Sequence, residues 1–196
     1  MTRLTPLLLT ALLAGALVGC GTDKQTDDGQ AAKLAAKDRE KAAQRQADLK
    51  EAQQVADDAQ AAADACQGQM NRLLQRTRAL DSRLDIGLTY DEYGDKVADL
   101  KVAYDNIDFD VSGDDGSFTC LSSVGVPLEN ALNQYVSAYR TWNTCFDDLD
   151  CDTDSISPDL QAKWSKATRN VSRASAGLKK LNREVERAQE EVERLS

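Results

Sequence analysis

Five cysteines and a complete lack of histidine limit the chemistry open to this chain. Without an imidazole, Ser-His-Asp and Cys-His nucleophile systems and His-ligated zinc or iron sites are excluded. No C-x-x-C pair occurs, so zinc-ribbon and thioredoxin-like chemistry lack their spacing. Carboxylates remain. Asp108, Asp110 and Ser112 place oxygens at positions 1, 3 and 5 of a calcium-type loop, with Gly113 at position 6. Position 12 of that loop, where a bidentate Glu belongs, is Thr119, so the stretch reads better as an acidic, turn-rich connection. Asp147, Asp148, Asp150, Asp152 and Asp154 form a second carboxylate cluster, again without the glycine of a tight calcium turn. No carboxylate pair has a spacing that suggests acid–base catalysis. The expectation is a non-enzyme with no cofactor and no bound metal.

The elements that position these residues are helices. From Ala31 the chain is rich in Ala, Lys, Gln, Glu and Arg, with no proline until Pro127. A seam of alternating four- and three-residue steps runs through Leu49, Ala52, Ala56, Ala59, Ala63, Cys66, Met70, Leu73, Thr77, Leu80 and Leu84, the heptad of a helix packing on a helix. It predicts one helix ending at Gly87. Thr89 and Glu92 form a capping box for the second helix, with seam Tyr93, Val97, Leu100, Tyr104 and Ile107. A loop is expected over Asp108–Val126. Pro127 then opens a third helix, with seam Leu128, Leu132, Tyr135, Tyr139, Trp142 and Phe146. Ser157-Pro158-Asp159 reads as the start of a fourth, whose seam Leu160, Trp164, Ala167, Val171, Ala174, Leu178, Leu181, Val185, Ala188, Val192 and Leu195 is the most regular. The aromatics at Tyr93, Tyr104, Tyr135, Tyr139, Trp142 and Trp164 all fall on seams, and core packing accounts for them without a ligand cage. The predicted fold is all-α: an antiparallel up-down-up-down four-helix bundle extended by a two-helix coiled coil.

The N-terminus has its own logic. Arg3 precedes an apolar run from Leu7 to Val18, too short to span a bilayer, which closes on Leu17-Val18-Gly19-Cys20. That ending resembles the lipobox of bacterial lipoproteins, with Leu17 at −3, Gly19 at −1 and Cys20 at +1. The resemblance implies that residues 1–19 are a signal peptide removed on maturation, that the Cys20 thiol is alkylated by diacylglycerol, and that the new amine is open to acylation. Two or more chains on one residue give stable anchorage. Residues 20–30 are polar and glycine-containing, a flexible lipidated tether reaching roughly 17 Å, and residues 31–196 read as a single helical domain.

With Cys20 committed to lipid, Cys66, Cys120, Cys145 and Cys151 remain, an even number in an exported chain. If Ile86 and Pro158 stand at one height, Ser196 lies beside Asp48, where the first seam begins. The lower half is then a coiled coil of Ala52, Ala56, Ala59 and Ala63 against Leu181, Val185, Ala188 and Val192. In that register Cys66 is level with the start of the loop carrying Cys120, while Cys145 and Cys151 are both near the top. The favoured pairs are Cys66–Cys120 and Cys145–Cys151.

The stretches LTYDEYGDKVADLKVAY and VGVPLENALNQYV, with the paired late cysteines, resemble uncharacterised secreted lipoproteins of actinobacterial type, which implies location and fold only. The formal charge of −9 argues against nucleic acid and against anionic lipid surfaces as partners. The leading expectation is a lipid-anchored protein on the extracytoplasmic face of the cell membrane, with a structural or protein-interaction role toward an envelope protein or the cell wall. Alternatives are a phage- or prophage-encoded surface lipoprotein acting in superinfection exclusion, and a calcium- or small-ligand-binding lipoprotein.

Overall fold

The computed structural model describes residues 28–107 and 115–196. The chain divides into two compact units, residues 1–43 and Gln44–Ser196. In the first, the described residues are helical from Asp28, and residues 31–43 are all exposed, in line with a seam that decays before Leu49. No helix among the described residues is long and apolar enough to cross a membrane.

The second unit holds the core. Its elements are the remainder of α1 (Asp28–Gln67), α2 (Gln69–Ile86), α3 (Tyr90–Asp105), the short α4 (Asp115–Cys120), a π-helical turn (Leu121–Gly125), α5 (Val126–Asp147) and α6 (Thr153–Leu195). The described residues contain no strand, and the fold is all-α. The heptad seams become the buried surface. Ala63, Cys66, Leu73, Leu80, Tyr93, Leu100, Leu128, Tyr135, Ala167, Val171, Ala174 and Leu181 are buried together in one cluster or beside it. The coil end follows the same pattern, with Ala52 and Ala188 each 9% exposed. Thr77, the polar residue on the first seam, is buried and donates its hydroxyl to the Leu73 carbonyl at 2.7 Å, which satisfies it within the helix. Phe146 departs from its seam position: its side chain is exposed at the end of α5.

Three boundaries differ from the sequence expectation. The long first helix is interrupted at Gly68, the residue with the greatest backbone entropy to lose in a helix, and α2 begins anew at Gln69. Gly87 still ends it, at φ 107°, with its N–H donating to the Arg83 carbonyl at 3.0 Å. The Asp108–Val126 stretch is no simple loop, since 115–125 is helical and runs directly into α5. Pro127 explains the π turn. It has no N–H to give the Ser123 carbonyl, and the ladder widens, with the Val126 N–H reaching Leu121 O. Finally, α6 starts earlier than Ser157. Asp152 is its cap, with its carboxylate accepting the Asp154 N–H at 3.1 Å, and Pro158 sits inside the helix near its N-terminus.

The register also differs from the expected one, which set Ile86 level with Pro158. The Asp81 carboxylate accepts from Thr168 at 2.6 Å, and Arg78 reaches Ser175 at 3.0 Å. Ile86 therefore stands near Lys163, about 15 Å along α6 from its first residue at 1.5 Å per residue. The α5–α6 hairpin overshoots the α2–α3 turn instead of ending level with it.

The π turn also packs its backbone against α6. A Cβ at Gly177 would lie 2.2 Å from the Ser123 carbonyl oxygen and 2.9 Å from its carbon, whereas Gly68 has open space around it. Gly177→Ala is therefore expected to lower stability by about 1–3 kcal/mol through overpacking, more than offsetting its helix-propensity gain. Gly68→Ala is expected to be neutral or stabilising by up to about 1 kcal/mol. Chemical denaturation of the two variants side by side checks both.

Candidate functional site

Both disulfides form in the favoured pairs, within a register shifted from the expected one. Cys66 joins Cys120 across a Cα–Cα distance of 5.4 Å, and Cys145 joins Cys151 across 5.2 Å. The first ties α1 to α4 immediately before the π turn. The second closes the α5–α6 turn at the overshooting end of the hairpin. Cys20, the lipidation candidate, lies outside the described residues, as does Asp108–Asp114 with most of the calcium-type loop. Among the described residues, no group of three His, Cys, Asp or Glu side chains is arranged to hold a metal ion.

Three of the five carboxylates in Asp147–Asp154 accept local hydrogen bonds. Asp148 accepts the Asp150 N–H at 3.1 Å, Asp152 caps α6, and Asp147 accepts from Asn143 Nδ2 at 2.9 Å. Asp and Asn bonding their own backbone two residues on is how such turns are built. Between them the chain exposes apolar surface: Phe146 is 57% exposed and Leu149 fully so. The result is a disulfide-closed turn with apolar side chains set among carboxylates.

An aromatic cluster supports that turn from beneath. Tyr90 stacks on Tyr139 at 5.3 Å and 9° and packs against Phe146 at 4.7 Å and Trp142 at 5.8 Å. Tyr93 lies 5.9 Å from Trp142 and 5.7 Å from Trp164, which are 6.0 Å from each other. The rings fill one another's space and leave no ligand cage. Tyr90 stands three residues before Tyr93, where the α3 seam begins. It is the first residue of α3 after the Thr89 cap, and the capping box that fixes its place is intact, with Thr89 N–H donating to Glu92 Oε2 at 3.0 Å. Its hydroxyl donates to Asn143 Oδ1 and lies 3.1 Å from the Tyr139 hydroxyl.

One level deeper, polar groups link four helices. The Tyr93 hydroxyl on α3 donates to the Tyr135 carbonyl on α5 at 2.9 Å and accepts the Trp164 indole N–H on α6 at 3.0 Å. The Tyr135 hydroxyl donates to Asp81 on α2 at 3.1 Å, and the same Asp81 oxygen accepts from Thr168 on α6. No buried side-chain nitrogen or oxygen among the described residues lacks a partner.

Comparison with known protein families, with curated proteins and with solved structures found no match.

These tyrosines give the fold a distinctive pH response. The hydrogen bond with Tyr139, then burial, pushes the Tyr90 hydroxyl up to about 12. Burial raises Tyr93 and Tyr135 as well, Tyr135 further by the Asp81 charge. A tyrosine whose pKa rises on folding contributes stability that is complete below its unfolded value, about 10, and is lost as pH climbs through the folded value. With no histidine to titrate, the midpoint of denaturant unfolding should hardly change between about pH 6 and 9 and should fall steeply above about pH 10. Denaturation curves with parallel ultraviolet monitoring of tyrosinate check this. A stability maximum confined to the neutral range would contradict it.

Proposed function

We propose that this protein is a membrane-anchored extracytoplasmic lipoprotein, non-enzymatic, whose helical body presents the disulfide-closed α5–α6 turn to another envelope protein or to the cell wall. The observation that carries this reading is the make-up of that turn. Exposed Leu149 and Phe146 stand among Asp147, Asp148 and Asp150, on a backbone fixed by Cys145–Cys151 and by the tyrosine cluster beneath. Apolar anchors with a charged rim on a rigid support are what a protein-recognition site needs. The far end of the unit, where Ala52 and Ala188 pack, has the regular small-residue seam of a spacer. Disulfides accord with an oxidising compartment outside the cytoplasm. The lipobox-like Leu17-Val18-Gly19-Cys20 supplies the anchor in this reading.

Two measurements test it. Cys20→Ser should move the protein from the detergent phase to the aqueous phase or to the medium; unchanged partitioning refutes lipid anchorage at that residue. Replacing Asp147, Asp148 and Asp150 with Asn should leave thermal stability nearly unchanged while reducing crosslinked partner capture from intact cells, and added salt should weaken capture by the unaltered chain. Capture that survives this neutralisation, but fails when residues 52–63 are altered without unfolding, would move the binding surface to the coil.

A further inference from the structure

The groove between α2 and α3 reverses the character of the rest of the molecule. It is a solvent-open groove of about 460 Å³, lined by Arg76, Ala79, Leu80 and Arg83 from α2 and by Lys96, Asp99 and Leu100 from α3. The floor is apolar, with Leu80 and Leu100 each 2% exposed. The walls carry three cations and one carboxylate in a chain whose formal charge is −9.

Heptad geometry explains why these cations face each other. On α2, Arg76 and Arg83 each sit one place before a seam residue, Thr77 and Leu84; on α3, Lys96 sits one place before Val97. In an antiparallel pair, flanking positions of the same kind lie opposite one another, and stable pairs normally set acid against base there. Here three bases line one groove, and like charges so placed weaken the pair. Asp99 relieves little of this, reaching only Lys96 at 3.9 Å on an exposed surface. No described carboxylate lies within ion-pair distance of Arg76 or Arg83, although the Arg83 charge helps hold the Glu92 carboxyl below its usual range, after its bonds to Thr89.

We infer that this groove binds an amphiphilic anion, a phosphate or carboxylate head on an apolar body. The head would sit between the α2 arginines and Lys96, where guanidinium groups can grip its oxygens in pairs. The body would lie over Ala79 and the aliphatic stems of the basic side chains, above buried Leu80 and Leu100. Binding would relieve the like-charge conflict beside the α2–α3 seam, a gain that neither a cation nor a neutral amphiphile can supply. The inference does not depend on where the chain is anchored or on what the α5–α6 turn contacts.

Octyl phosphate, used below its micelle concentration, is the probe. Titration calorimetry with the purified chain should show binding that inorganic phosphate does not match and that octyl trimethylammonium does not show. The ligand should raise the melting temperature. The double variant Arg76→Gln/Arg83→Gln, altering two exposed side chains, should weaken octyl phosphate at least roughly tenfold, the loss of one charge-assisted contact. Lys96→Glu, which sets a carboxylate across from the arginines, should raise the melting temperature of the free protein and abolish binding. Vesicles containing phosphatidylglycerol identify the source of the ligand: capture that falls in the double variant points to a lipid headgroup, and lack of capture alongside octyl phosphate binding points to a soluble amphiphile. The inference fails if the double variant binds octyl phosphate as tightly as the parent, or if inorganic phosphate binds equally well.

Discussion

Helices packed through heptad seams of Ala, Leu and Val can slide by whole turns at little cost, because one small apolar residue replaces another in each hole. The linked hydrogen bonds of Tyr93, Tyr135, Trp164, Asp81 and Thr168 remove that freedom. They join α2, α3, α5 and α6 at a single level, through buried and half-buried groups and, at the surface, Thr168. A slip of one turn would leave the Trp164 N–H, the Tyr93 hydroxyl and the Tyr135 hydroxyl without partners, at about 1–3 kcal/mol each. The apolar seams drive association, and the polar link sets its register.

The form of the upper end follows from that register. With Asp81 held at Thr168, α5 and α6 continue beyond the α2–α3 turn, and the projecting hairpin has fewer helices to pack against. Tyr90, stacked on Tyr139 and against Phe146, and the Cys145–Cys151 bridge take over its support. A short turn held in this way can keep Leu149 and Phe146 in water without collapse, which gives the recognition reading its physical basis.

Pro127 has an effect well beyond its own turn. By withholding an N–H from Ser123 it widens the helix to a π turn, and the freed carbonyl presses on α6 at the one place where a glycine, Gly177, leaves room. Cys120, joined to Cys66, lies at the other edge of the same turn. Proline, glycine and disulfide together fix the segment that brings α5 back into the bundle.

Much of this was legible in the chain. The heptad seams named the buried faces of all four long helical segments, and Thr89 and Glu92 marked the start of α3, because period and capping are local properties carried by neighbouring side chains. The approximate heights they imply were enough to favour the two cysteine pairs that form. The helical nature of 115–125, the early start of α6 and the role of Tyr90 were not legible. Gly113, Gly116 and Pro127 locally favour a break, and Pro158 locally favours a helix start, but long-range packing of Cys120, Val124 and Leu160 outweighs those preferences. Nor could the seams fix the offset between hairpins, since a heptad repeat fits itself again one repeat later. The sequence by itself determined which faces meet and where α3 is capped. Only the tertiary structure decided at what height they meet, because that depends on hydrogen bonds among side chains far apart in the chain, and with it which apolar residues stay in water and which cations face each other across α2 and α3.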